Sequence, residues 1–299
     1  MGMVITAAGT AAHTDAATPA SAVDLAARAA RDCLARAQLA PSAVGVLINV
    51  GVYRESNTFE PAVAALVQKE VGINLDYIAD PEPAACFSLD LMNGASGVLN
   101  AVQAGQALLD TASAERLLIT AADVHPGGSA SRDPHYPYAD LAGALLLERS
   151  ADPDAGFGPV RHYAADGPPA ADGHLDTEGY LDTEGYLDTG TMGTDGRSLI
   201  TVRRAQGHER RTAGLATAAV ADYATRYGLD LDRTRVIGPH PAADGLDTTA
   251  GEPHTAAPVL GYLRALAERD RPRRHERLLF VTVAAGAGAT CVSYRPEAW

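Results

Sequence analysis

Apolar positions change their spacing several times along the chain, and each change marks an element. Between Ala22 and Leu39, Val23, Ala26, Leu34 and Leu39 recur among charged residues at helical spacing, which predicts an amphipathic helix that Pro41 ends. Val44–Val52 (VGVLINVGV) is a continuous apolar run of strand length, the pattern of a strand buried on both faces of a layered sheet. A helix follows over Pro61–Val71. The alternation goes on with a strand over Cys86–Leu91, a helix over Gly94–Leu109, and strands over Arg116–Ala122 and Leu141–Arg149. After a Gly/Pro/Asp-rich region it returns, with a helix over Arg211–Tyr227, a strand over Val236–Gly238, a helix over Ala256–Arg269 and a strand over Leu278–Ala284. Two α/β series around one irregular region predict α/β layers in two similar halves, residues 1–150 and 157–299.

The irregular region, 165–200, contains a tandem repeat. Leu-Asp-Thr-Glu-Gly-Tyr occurs over Leu175–Tyr180 and again over Leu181–Tyr186, and restarts as Leu187-Asp188-Thr189-Gly190. So few copies of so short a period cannot stack into a solenoid, and the repeat reads as an expansion tolerated in a surface loop.

Composition narrows the class. A net charge of −13 on 299 residues, with Arg269, Arg271, Arg273 and Arg274 as the one basic cluster, argues against a nucleic-acid partner. Uninterrupted apolar stretches stay short of a membrane span, and the N-terminus lacks a basic start followed by an apolar core, so a cytoplasmic protein is expected. Cys33, Cys86 and Cys291 are odd in number and far apart, which suggests neither a disulfide framework nor a metal site.

Four segments carry a family resemblance that runs from about Val44 to the C-terminus. Phe87-Ser88-Leu89-Asp90-Leu91-Met92-Asn93-Gly94-Ala95-Ser96-Gly97-Val98 resembles the strand, sharp turn and buried helix of the ketosynthase III branch of the thiolase superfamily, in which the nucleophile sits at the turn. Tyr138-Ala139-Asp140-Leu141-Ala142-Gly143-Ala144 is similar to that family's strand entry. Val236-Ile237-Gly238-Pro239-His240-Pro241-Ala242 is similar to its strand ending in a proline-histidine pair, and Phe280 to Thr290 to its C-terminal glycine-rich loop. The resemblance implies a five-layered α/β/α/β/α thiolase fold and a homodimer. It also implies acyl-carrier-protein (ACP) or coenzyme A thioesters as substrates, with no permanently bound cofactor. A fold of this kind still leaves the reaction open.

The departures from the family pattern bear on the chemistry. The resemblance implies a thioester-forming cysteine at the turn, yet Ala95 falls in that slot, or Ser96 after a one-residue shift. Where the family has an asparagine, Gly251-Glu252-Pro253-His254 offers Pro253 or His254. The candidate site is therefore Ser96, His240 and His254. Ser96 is either a nucleophile at a helix N-terminus or a helix cap. His240, between two prolines, is a base or a structural histidine, and His254 is a second proton donor or acceptor or a residue near a helix start. Asp90 reads as a structural hydrogen-bond partner and Cys86 as a small buried hydrophobe. The implied activity is acyl transfer to an alcohol or amine, of the kind used in polyketide-type secondary metabolism. A catalytically silent ketosynthase partner and a cysteine-independent condensing enzyme are the alternatives.

Overall fold

A computed structural model describes residues 2–15, 18–55, 61–75, 85–126, 136–164, 186–187, 200–201, 208–241, 243, 251–268, 275–284 and 288–297. In chain order the elements begin with β1 (Met3–Ala12), α1 (Ala22–Ala37), β2 (Val46–Asn49), α2 (Val63–Val71), β3 (Phe87–Asp90), α3 (Gly97–Asp110), β4 (Arg116–Asp123) and β5 (Leu141–Arg149). They continue with β6 (Gly156–Phe157), β7 (Arg161–Ala164), β8 (Tyr186–Leu187), β9 (Ile200–Thr201), α4 (His208–Tyr227), β10 (Thr234–Ile237), α5 (Ala257–Ala267), β11 (Arg277–Ala284) and β12 (Gly288–Arg295).

Two sheets form from these strands. The first has the order β1-β5-β4-β2-β3, with β2 parallel to both β3 and β4 and with β5 antiparallel to β1 and β4. The second has the order β10-β11-β12-β6, with β7 also paired to β12. Successive strand side chains point to opposite faces, and the packing divides accordingly. Val46, Ile48, Leu117, Ile119, Leu145 and Leu147 face a middle layer, whereas Leu47, Leu118, Ala144 and Leu146 face α1 and α2. Val98, Leu99 and Val102 of α3 and Val259 and Tyr262 of α5 fill that middle layer, closed on its far side by Ile237, Leu278, Phe280 and Val292 of the second sheet. Leu279, Val281, Val283 and Cys291 point the other way, onto Ala216, Val220 and Tyr223 of α4. The layers thus run α/β/α/β/α, the thiolase-like architecture that the family resemblance implied.

The parallel strands end in a polar ladder that fixes the neighbouring helix. Asn49, Asp90 and Thr120 are register partners across β3, β2 and β4. Asn49 Nδ2 donates to Asp90 Oδ1 at 2.9 Å and Thr120 Oγ1 donates to Asn49 Oδ1 at 3.3 Å. Asp90 also accepts from the Val63 and Ala64 amides at 2.8 and 2.9 Å. It thereby supplies from β3 the N-terminal cap that α2 lacks in its own sequence, and its expected structural role holds. Gly143 of β5 has a similar positioning function: a Cβ there would lie 2.7 Å from the Val259 Cβ, so α5 seats on the sheet only over glycine.

Several sequence expectations are modified. β1 and β12 were not anticipated, and Gly288–Thr290, read as glycine-rich loop, begins the strand β12. Of the Val44–Val52 run, Val46–Asn49 forms the strand proper. The repeat, apart from Tyr186 and Leu187 in the β8–β9 pair, and the arginine cluster lie outside the described residues. Among the described residues, no helix is long and apolar enough to cross a membrane, and no group of three or more His, Cys, Asp or Glu side chains is placed to hold a metal ion.

Candidate active site

In open α/β sheets, ligands bind beyond the carboxyl ends of the parallel strands. β2, β3 and β4 are paired in register and end near one another. The segment that leaves β2 carries Tyr53 and the one that leaves β3 carries Ser96, while β4 itself closes on Asp123.

The chain leaves β3 through Leu91–Asn93, passes Gly94 at φ +49°, makes one 3₁₀ turn over Gly94–Ser96 and enters α3 at Gly97. A Cβ on Gly97 would stand 2.9 Å from the Val50 Cβ, so glycine is what lets this helix begin against the end of β2. Within the turn Ala95 is half-buried and Ser96 is buried. Ser96 makes no side-chain cap to α3. Its hydroxyl meets Thr282 Oγ1 at 3.1 Å and accepts from Thr290 Oγ1 at 3.4 Å. Thr282 and Thr290 are cross-strand partners on β11 and β12, and Thr290 is further bonded to His162 Nδ1 at 3.1 Å. Ser96 therefore joins the start of α3 to the second sheet. Its hydroxyl partners are threonines, where the sequence suggested a base.

His240 follows β10. Gly238, at φ +139°, presses so closely on the Val281 carbonyl that no side chain fits there. The chain then turns, with the His240 amide donating to Gly238 O and the Ala243 amide to His240 O, both at 2.8 Å. Thus Ser96 meets β11 at Thr282 and the β10 turn meets it at Val281 through Gly238, two residues before His240. The His240 ring is half-buried, and this partial desolvation lowers its pKa below the ordinary 6.5.

His254 precedes α5 and is buried. Residues 251–255 are stitched to 137–139 by Glu252 N donating to Pro137 O at 2.9 Å and Ala139 N donating to Glu252 O at 3.0 Å. Gly251 at φ +124° permits the close approach. The imidazole stacks on Tyr138 at 4.2 Å and lies 5.2 Å from the Tyr53 ring, both centroid to centroid. Its edge meets a carboxylate, with His254 Nδ1 donating to Asp123 Oδ2 at 2.9 Å.

Asp123 is the residue that sequence reasoning missed. It is buried and accepts five hydrogen bonds: from the Val52 and Tyr53 amides at Oδ1, and from His254 Nδ1, the Thr255 amide and the Thr255 hydroxyl at Oδ2, at 2.5 to 3.1 Å. Burial alone would raise its pKa; the facing His254, the Thr255 donors and the Tyr53 amide outweigh that and hold it at about 2. A signal was present in sequence. Arg116–Asp123 reads RLLITAAD, an apolar strand closed by a carboxylate, but the strand prediction stopped at Ala122.

The thiols lie elsewhere. Cys33 is buried in α1, Cys291 is buried on the face of β12 that packs on α4, and Cys86 precedes β3 and is only half-buried, short of the buried position expected of it. Burial pushes their pKa values up, to about 12 for Cys33 and Cys291 and about 11 for Cys86, away from reactive thiolates.

At the level of sequence, no family model and no curated protein matches the chain. Solved structures do. The 3-oxoacyl-(acyl carrier protein) synthase III of Pseudomonas aeruginosa superposes with a TM-score of 0.74 at 16% identity, over 99% of each chain. The corresponding enzyme of Aquifex aeolicus gives 0.71 at 15% identity, over 98% of this chain and all of its own. A tetronic acid condensing enzyme gives 0.70 at 17% identity, over 98% of this chain and 99% of its own. The chain therefore has the thiolase-like fold in the form taken by ketosynthase III-type enzymes.

Proposed function

We propose that the protein is an acyltransferase that passes an acyl group from an ACP or coenzyme A thioester directly to an alcohol or amine, in secondary metabolism of the polyketide type. The observation that carries this reading is the setting of the β3–α3 turn. Ala95 has no nucleophilic atom, Ser96 is tied to two threonines, none of the three thiols is in the turn, and burial raises the pKa of each. Two histidines nevertheless stand where the sheets end. A base takes the acceptor proton, the acceptor oxygen or nitrogen bonds to the thioester carbonyl carbon, and the carbon–sulfur bond breaks to release a thiolate that is then protonated. Carbon–carbon condensation through an acyl-enzyme lacks its thiol.

The test is thiol release from acetyl- and hexanoyl-CoA, with hydroxylamine as acceptor and intact-mass spectrometry of the protein. Hydroxylamine-dependent release without an acyl adduct is expected, and Ser96→Ala should turn over at close to the wild-type rate while losing about 1 kcal/mol of stability with its hydroxyl contacts. An adduct that Ser96→Ala abolishes would replace direct transfer by an oxygen-ester intermediate. Carbon dioxide release from malonyl-CoA would instead identify a condensing enzyme.

Ala95 also favours a second reading, a silent thiolase-fold partner of an intact ketosynthase. Co-purification with such an enzyme, with no thiol release by the protein alone, would select it. In either reading the protein is proposed to pair with itself or a relative through β3. This strand is the outermost of its sheet and holds Phe87 63% exposed, an edge of the kind proteins normally cover. A dimeric mass at micromolar concentration is expected of the purified chain, and a monomeric one would count against self-association.

A further inference from the structure

We propose that Asp123 is a positioning residue that makes His254 the base of the site, an inference that rests on the acyl-transfer reading above. A carboxylate accepts hydrogen bonds and donates none, so the 2.9 Å contact with Asp123 Oδ2 places a proton on His254 Nδ1. In the neutral ring the lone pair is then on Nε2, the atom that points away from Asp123. Asp123 has no freedom to turn. Oδ1 is held by the Val52 and Tyr53 amides and Oδ2 by the Thr255 amide and hydroxyl, so the acceptor for Nδ1 is fixed in place before any substrate enters. Tyr138 stacks on one face of the ring and Tyr53 packs beside it, tilted, which restricts the remaining rotation.

Among the described residues, Asp123 meets His254 at its edge, Tyr138 stacks on the ring and Tyr53 packs beside it; Tyr136, with His125 against it, backs the tyrosines. Asp123 is the ionised member, held so by its five donors. Its charge favours the imidazolium that forms when Nε2 takes the acceptor proton, so it orients the base and stabilises the product of proton transfer.

Asp123→Asn tests this. The amide group keeps an acceptor for the Val52 and Tyr53 amides but turns an N–H toward His254, which favours the opposite tautomer. Hydroxylamine-dependent thiol release from hexanoyl-CoA should fall on the order of 10²- to 10⁴-fold with KM little changed, and the acid limb of the rate profile should move to lower pH. A wild-type rate per folded molecule with an unmoved profile would overturn the proposal and leave Asp123 a purely structural group. Because the variant could fail to fold, the tautomer is also read in the wild-type protein with ¹⁵N-labelled histidine, the His254 signals being assigned by their loss in His254→Gln. A proton on Nδ1 in the neutral ring is expected, and a bare Nδ1 would overturn the proposal. This readout needs no turnover, so it separates a wrong positioning role from a wrong activity: wild-type protein that releases no thiol sinks the acyl-transfer reading alone.

Discussion

Alanine at His254 is expected to lower thiol release on the order of 10²- to 10⁴-fold, the range for loss of a general base, and to leave the fold intact. Folding should survive because Asp123 keeps four donors, the Val52, Tyr53 and Thr255 amides and the Thr255 hydroxyl, so the carboxylate is not stranded. His240→Ala is expected to cost a similar factor if its half-buried imidazole assists the same step. The double variant should then lose less than the product of the two, since groups acting on one step are not additive. The pH dependence has a definite sign. An imidazole accepts a proton only when neutral, and burial lowers the His240 pKa, so the neutral form of His240 persists below the ordinary 6.5 and its own contribution decays only on the acid side of that value. Turnover at the wild-type rate in the double variant, with the fold confirmed by circular dichroism, would reject a histidine site and favour the silent partner.

The part of the fold legible in sequence is the part built from uninterrupted apolar runs. LAGALLLER and RLLFVTVA read as strands from their apolar runs, and they are β5 and β11, packed between helical layers. β1 was missed because half of MVITAAGTAA is alanine and glycine, residues that sheets select against unless a neighbour presses close. Here one does: a Cβ on Gly9 would lie 2.4 Å from the Ala29 carbonyl oxygen of α1, so small residues in β1 are what admit the helix. Ser96 shows the limit at the site. Its position at a helix start was readable, but its hydroxyl partners are 186 and 194 residues further along the chain, on two strands of the other sheet, and no local pattern encodes them. Asp123 and His254 are likewise 131 residues apart, and only the register of the layers brings them together.

Asp123→Ala should be among the most destabilising substitutions in the protein, and far more so than His254→Ala, although both break the same contact. Removing the histidine leaves an acceptor with other donors. Removing the carboxylate leaves three backbone amides, a hydroxyl and an imidazole N–H in a dry interior with nothing to accept them. Loss of one member of a buried charged network of this kind costs about 3–5 kcal/mol. Urea unfolding of the two variants measures the difference, and equal midpoints would refute the asymmetry. The same carboxylate gives stability a pH dependence. Its folded pKa of about 2 lies below the unfolded value of 3.8, so its contribution is fully present above 3.8 and is lost as pH falls through about 2. The shift corresponds to on the order of 2 kcal/mol. Wild-type stability should therefore fall over that acid window by more than the stability of Asp123→Asn, which has no carboxylate to protonate; parallel decline of the two would show that the acid sensitivity arises elsewhere.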